Sequence, residues 1–323
     1  MTFILLFAGL ALLLLGADKL VDSSVAIAKR LNISDFIIGI TIVGMGTSAP
    51  ELFISTASAI EGKGDLALGN VIGSNICNTL LILGVTAIIA PFAITRPNLR
   101  RDIPFGIFVS FLLMLLCCDN IFPHIFENEV GRIDGAFLLI IFAAYMGYVT
   151  LASKGEKPAE QKSDTAKSFF TDRPMWILIP SALISLAGLL FGGNLFLNSA
   201  VEIAKMAGMT EKVISITIVA VGTSLPELIT CIIAARKGNQ QLALGNVLGS
   251  NVFNVLMILG ISSLIKPIVL QGINMIDFGV MILSSVLTFI FAFTFRKRIL
   301  DRIEGVILVA IYCAYIAYLL ITL

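Results

Sequence analysis

Charge is scarce in this chain. Asp, Glu, Lys and Arg make up 13% of its 323 residues, about half of what a soluble domain uses to coat a water-facing surface. Histidine is nearly missing: His124 is the single one, which excludes a histidine-based metal centre. The five cysteines, Cys77, Cys117, Cys118, Cys231 and Cys313, form no C-x-x-C pair. Each sits in or at the end of an apolar run, so they read as small buried hydrophobes, with no disulfide or zinc site indicated. A formal net charge of +1 gives no footing to nucleic acid. Nothing in the residues asks for a cofactor or an obligate protein partner.

Apolar residues, by contrast, are abundant, at 58% of the chain with a mean hydropathy of +0.99. They fall in runs of about 17–25, long enough to cross a hydrocarbon core of roughly 30 Å. The first run lacks a basic start and is followed by Asp18 and Lys19, unlike a cleaved secretory leader. Reading the runs as helices gives about ten spans, near 2–28, 34–60, 65–90, 103–119, 134–152, 174–204, 211–235, 240–265, 276–295 and 303–322. The expected architecture is an all-α membrane protein embedded in the lipid bilayer.

Only one connection is long and polar, residues 153–173. If the N-terminus lies outside, the inner connections hold 16 of the 22 basic residues and the outer ones five, with Lys19 inside the first span. Cytoplasmic loops collect Lys and Arg. The expectation is therefore a multi-pass protein of the plasma membrane, with both termini extracellular and 153–173 cytoplasmic.

The sequence repeats itself. ITIVGMGTSAPEL ends at Leu52 and ITIVAVGTSLPEL at Leu228, while LALGNVIGSNICNTLLILG starts at Leu66 and LALGNVLGSNVFNVLMILG at Leu242. Both pairs are offset by 176 residues, as are Pro91 and Pro267, and Lys29 and Lys205. Five spans per half is an odd number, so the second half must enter from the opposite side. The chain thus divides into 1–152, a linker over 153–173, and 174–323. Inverted repeats of this kind typify secondary transporters, whose site lies near the midplane between the halves.

The first shared motif, G-T-S-x-P-E, covers Gly46–Glu51 and Gly222–Glu227. Pro50 and Pro226 supply no N–H and push on the carbonyl four residues back, so the second and seventh helices should break there. Carbonyls near Gly44–Thr47 and Ala220–Thr223 are expected to lose helical partners, which is tolerated at membrane depth only beside protein or water. Such oxygens next to a carboxylate suit a hard cation. Ser48-x-x-Glu51 and Ser224-x-x-Glu227 also match a capping box that restarts a helix. An acid near the bilayer centre costs about 2.5 kcal/mol or more, however, and a serine alone would cap, so ion contact is the main reading.

The second motif, G-N-V-x-G-S-N-x-x-N, covers Gly69–Asn78 and Gly245–Asn254. Ser74 with Asn78, and Ser250 with Asn254, are four residues apart and share a helix face. The glycines allow close helix approach, and Ser and Asn commonly bond between membrane helices. That bonding role is assigned to Asn70, Asn75, Asn246 and Asn251, and ion contact to Asn78 and Asn254. Asp18 and Asp22 line an entry path or pair with Lys19. Asp301 and Glu304 are placed at the inner surface. Two carboxylates, Glu51 and Glu227, give −2, which one Ca²⁺, two Na⁺ or two protons would balance.

These motifs resemble those of the sodium/calcium exchanger family, within the cation/calcium antiporters, in its short prokaryotic form. GTSAPEL with GNVIGSNICN resembles the first of that family's repeats, and GTSLPEL with GNVLGSNVFN the second. The resemblance implies a ten-helix antiporter, not an enzyme, with four central ion sites at which calcium competes with sodium. By that analogy Glu51, Glu227 and the carbonyls of Thr47 and Thr223 hold calcium. Sodium contacts add Ser48, Ser74, Ser224, Ser250, the threonine hydroxyls, and the carbonyls of Gly44 and Ala220. Some members carry aspartate where this chain has Asn254, an acid linked to potassium use, so potassium is not expected here. A proton/calcium antiporter is the alternative, and an intramembrane protease a distant one, since neither central acid is Asp.

Overall fold

The computed structural model describes residues 1–117, 129–153, 170, 173–269, 274–294, 296 and 298–322. Cys118, His124, Lys297 and nearly all of the 153–173 linker lie outside them. The helices are α1 (Thr2–Leu31), α2 (Asp35–Thr47), α3 (Ala49–Glu61), α4 (Gly64–Ile89), α5 (Ile103–Cys117), α6 (Arg132–Ser153), α7 (Met175–Met206), α8 (211–222), α9 (Leu225–Arg236), α10 (Gln240–Ile265), α11 (Met275–Phe291) and α12 (Arg302–Thr322). Six of them are long and apolar enough to cross a membrane alone: α1, α4, α6, α7, α10 and α12. The pair α2–α3 forms a seventh candidate, bent by 48°. The expected span 276–295 is shorter as a helix, ending at Phe291.

The breaks fall where proline requires them. Pro50 sits in the first turn of α3 and Pro226 in the first turn of α9, positions at which the missing N–H has no intrahelical use anyway. Beyond the breaks, the two halves match element by element at the 176-residue offset. Gly64–Ile76 corresponds to Gln240–Val252, and Leu83–Ile89 to Leu259–Ile265. The match extends to π-helical turns at Gly39–Val43 and Ser215–Val219, and at Cys77–Ile82 and Phe253–Ile258. Such turns depend on hydrogen-bond register and are frequent at functional sites.

The fold is all-α, with only minimal strand pairing beside the helices. Two short ribbons cross between the halves: β1 (Phe92–Ala93) pairs with β4 (Ile299–Leu300), and β2 (Glu129–Val130) with β3 (Ile268–Val269), each antiparallel. The helix ends leave backbone groups with no partner in the bundle, and these ribbons satisfy some of them.

α4 and α10 form the centre, 72% buried over their apolar stretches, whereas α1 and α7 are only about a third buried. At 30 and 32 residues these two are about 45 Å long, so they cross a hydrocarbon core of roughly 30 Å at a tilt. They pack backbone to backbone. A Cβ at Gly9 would lie 2.6 Å from the Phe196 nitrogen, and one at Gly192 2.5 Å from that of Leu13.

The equivalent glycines of the second motif behave differently. A Cβ on Gly245 would meet the Phe36 carbonyl at 2.3 Å, and one on Gly249 the Ile40 Cα at 2.6 Å. At Gly69 and Gly73 a Cβ would meet nothing within 4 Å among the described residues. Thus α2 is docked on α10, while the corresponding face of α4 is open. Gly245→Ala should therefore lower unfolding stability by about 1–3 kcal/mol through overpacking, and Gly69→Ala should not. Thermal unfolding of the two variants in detergent checks this, and equal midpoints would contradict the packing.

Candidate functional site

The restart of the broken helices carries Glu51 into the first turn of α3 and Glu227 into the first turn of α9, each 1% exposed. They come together crosswise. Ser48 Oγ donates to Glu227 Oε1 at 3.1 Å, and Ser224 Oγ donates to Glu51 Oε1 at 3.4 Å. Each half therefore supplies the serine for the other half's carboxylate. This corrects the capping-box reading, since neither serine makes a side-chain cap bond to its own helix. A hydroxyl that bonds a carboxylate across the interface is not available to its own helix N–H groups. Ser74 lies within hydrogen-bonding reach of Glu51, and Thr47 of Glu227.

Asn78 and Asn254 both sit in π-helical turns. Asn78 Nδ2 donates to Asn251 Oδ1 at 3.1 Å, and Asn254 Nδ2 to Asn75 Oδ1 at 3.0 Å. Asn75 and Asn251 are otherwise tied to the Asn251 carbonyl and to Thr79 Oγ1. The amides thus orient Asn78 and Asn254 from behind and leave their oxygens free. Four oxygens of this centre are buried without a partner among the described residues: Glu51 Oε2, Glu227 Oε2, Asn78 Oδ1 and Asn254 Oδ1. Buried acceptors are nearly always satisfied, and an unpaired buried carboxylate oxygen is costly, so this set is poised for a cation. Among the described residues no three or more His, Cys, Asp and Glu are placed so as to hold a metal ion by themselves. The remaining oxygens come from neutral Ser, Thr and Asn.

Several expectations are revised. The Gly44 carbonyl is not freed: it accepts from the Ser48 N–H at 3.2 Å, from Thr47 Oγ1 at 3.4 Å and from Ser250 Oγ at 3.2 Å. A single helical turn between the π segment and the break is enough to partner it. Thr223 is buried and lines a cavity of about 420 Å³ beside Pro50 and Pro226, and its N–H bonds the Val219 carbonyl. Ala220 opens the short turn before this break. Asp18 and Asp22 do not rely on Lys19 alone. Lys237 Nζ lies 2.6 Å from Asp18 Oδ1 and 2.7 Å from Asp22 Oδ1, tying α1 to the end of α9.

Glu304 is fully buried, not at the surface, and accepts from Thr294 Oγ1 and the Asp301 N–H. It is a helix cap. Cys313 is exposed, contrary to its reading as buried. Cys77 was legible only as a small hydrophobe, yet it is a neighbour of both carboxylates and within reach of Ser224 and Tyr312. Its proximity depends on the turn at Cys77–Ile82, which no periodicity reveals. Asn246 supports the centre by accepting from Thr47 Oγ1 at 3.2 Å.

A duplicated membrane bundle with two buried acids, broken helices and free neutral oxygens at its centre defines a secondary transporter of cations. Comparison with known proteins agrees. The chain matches the family described as sodium/calcium exchanger protein over residues 1–151 and 177–321, and it belongs to that family. It is 36% identical to CaxA of Alkalimonas amylolytica over 97% of this chain and 96% of that one. It is 31% identical to the sodium/calcium exchanger MaX1 of Methanosarcina acetivorans over 98% of each. Among solved structures, the sodium-calcium exchanger NCX_Mj superimposes with a TM-score of 0.81 at 30% identity, covering 98% of this chain and 97% of that one. The protein is a membrane antiporter of calcium and a counter-cation.

Proposed function

We propose that the chain exchanges Ca²⁺ for Na⁺ by alternating access at a central site built on Glu51 and Glu227. The observation that carries this reading is the set of four unpartnered buried oxygens, one carboxylate and one amide from each half. Two carboxylates balance one Ca²⁺ or two Na⁺, and a third Na⁺ leaves the loaded site at +1. Calcium takes 6–8 oxygens at about 2.3–2.6 Å, within what Glu51, Glu227, Asn78, Asn254, Thr47 and Thr223 with Ser48, Ser74, Ser224 and Ser250 can offer. Gly44 and Ala220 lie in the backbone before the two breaks, and the Gly44 carbonyl reaches an ion only by giving up bonds it now accepts from Ser48, Thr47 and Ser250. Neutral oxygens around only two acids favour sodium over protons as the driving ion.

Alternating access is supported by the packing asymmetry at Gly245 and Gly249 against Gly69 and Gly73. Equal sequences in the two halves occupy unequal environments, one docked and one open. Exchanging those roles would move access from one membrane face to the other. The operating units in this reading are residues 1–152 and 174–323, joined by 153–173.

The test is calcium uptake into proteoliposomes with outward sodium, proton or potassium gradients imposed in turn. Sodium alone should drive uptake, without potassium. If three Na⁺ oppose one Ca²⁺, each cycle moves one net charge, worth about 2.3 kcal/mol per 100 mV, and uptake should follow a valinomycin-set voltage. Equal drive from a proton gradient in sodium-free buffer would replace this reading with proton/calcium antiport.

The orientation is tested separately, with both termini external in the plasma membrane. In a background lacking native cysteines, Lys63→Cys should react with an impermeant thiol reagent on intact cells and Lys29→Cys should not. The opposite pattern would invert the topology without touching the transport reading.

A further inference from the structure

Away from the ion site, one end of the bundle holds a basic pocket that the exchange mechanism does not use. It has a volume of about 400 Å³ and is lined by Arg96, Leu99, Arg100, Phe289, Phe293 and Arg298. Three guanidinium groups and three apolar side chains share it, with no acid in the lining. Two other arginines at this end are already neutralised: Arg101 Nε lies 2.7 Å from Asp102, and Arg296 Nε 3.3 Å from Asp301. Arg96, Arg100 and Arg298 have no carboxylate partner among the described residues. Such a cluster, left unneutralised and presented together, favours a polyoxygen anion, which arginine binds in a planar fork.

The pocket's position says what carries that anion. Arg96 follows β1, Arg100 precedes α5, and Arg298 precedes β4, so all three stand in connections between the apolar helices, where the chain of a membrane bundle meets the lipid headgroups. Phe289 and Phe293 stack edge to face at 5.4 Å where α11 ends, and Phe293 is 55% exposed. An apolar wall that opens toward lipid, beneath a cationic rim, fits an amphiphile. It does not fit a free ion.

Arg298 adds an independent sign. It adopts φ 62°, a left-handed conformation that non-glycine residues rarely take. Its N–H is bonded to the Ala292 carbonyl and its own carbonyl to the Ile94 N–H, each at 2.8 Å. The backbone there would suit glycine better, so the arginine side chain is kept despite its conformation, and outliers of this sort cluster at ligand clamps.

We infer that the pocket of Arg96, Arg100 and Arg298 is a binding site for the phosphate-bearing headgroup of an anionic phospholipid, its acyl chain lying along Phe289 and Phe293. Basic pockets between membrane helices recognise such headgroups. Bound there, the lipid bridges α5 to the turn between α11 and α12, which belong to different halves of the chain.

The test is native mass spectrometry of the purified full chain with phosphatidylglycerol or phosphatidylcholine added in equal amounts, which needs no ion flux and stands whether sodium or protons drive exchange. The wild type should retain one phosphatidylglycerol in clear preference. Each Arg→Ala change should weaken retention about fivefold, and the triple variant should show no preference. Arg298→Gly relieves the backbone, so it should be folded and at least as thermostable, yet still lose about fivefold. Lys29→Ala with Arg30→Ala removes two basic residues outside the pocket and should leave the preference intact. Undiminished retention by the triple variant, equal loss in the Lys29/Arg30 variant, or displacement of the lipid by glycerol phosphate would each overturn the assignment.

Discussion

Glu51→Gln and Glu227→Gln are each expected to abolish calcium exchange while leaving the protein folded and monodisperse in detergent. The exchange of one oxygen for nitrogen keeps the shape of the side chain, and the crosswise serine at 3.1 or 3.4 Å can still donate to the amide oxygen. What is lost is charge. Removing one unit charge about 4 Å from a divalent ion changes the interaction by about 8 kcal/mol at an effective dielectric of 20. Desolvation returns much of that, yet a third of it, about 2.8 kcal/mol, is roughly a hundredfold in calcium affinity. Isothermal titration and proteoliposome uptake read the two consequences separately. Near-normal uptake by either purified variant would remove the glutamates from the centre of the mechanism.

The second large effect concerns residues that touch no ion. Gly73→Leu, and likewise Gly69→Leu, should leave stability unchanged, because no described residue lies within 4 Å of a Cβ at either position. Exchange should nevertheless fall by about tenfold to a hundredfold. In the alternate conformation α8 would dock on α4 as α2 now docks on α10, where a Cβ added at Gly245 or Gly249 would stand 2.3 or 2.6 Å from the facing backbone. A leucine there overpacks that state by about 1–3 kcal/mol, and a transporter that cannot populate one of its two states does not turn over. Leucine is the informative choice over alanine, because Ser215 and Ala220 stand where the first half has Gly39 and Gly44. The second closure is therefore looser and would tolerate a methyl group. Calcium binding at the site of the folded variant should persist. Full exchange by Gly73→Leu would rule out the swap of packing between halves.

Much of this was legible in the residues. Scarce charge and long apolar runs imply spanning helices, because an unpaired backbone group in hydrocarbon is too costly for any other open structure. The two prolines set the breaks at Ser48 and Ser224 to the residue, since a missing N–H cannot be compensated by context. All six second-motif asparagines are bonded between elements, and among the described residues Asn78 and Asn254 keep an oxygen without a partner, a difference their spacing alone does not show. Partners were harder to read. Glu51 and Ser224 are 173 residues apart, and no local pattern distinguishes a serine that caps its own helix from one that reaches across a repeat interface. Lys237 with Asp18 and Asp22, and Cys77 beside both glutamates, were obscured for the same reason.

The sequence by itself determined the membrane class, the duplication at 176 residues, the broken helices and the two acids, all of which follow from composition or from rules acting within a few residues. Only the tertiary structure decided which half supplies each contact and which face of the duplicated pair is docked. Two nearly matching motifs do not by themselves say which is packed and which is open. The unequal packing around Gly69 and Gly245 is set by contacts between distant parts of the bundle, which is a property of long-range packing rather than of any stretch of chain.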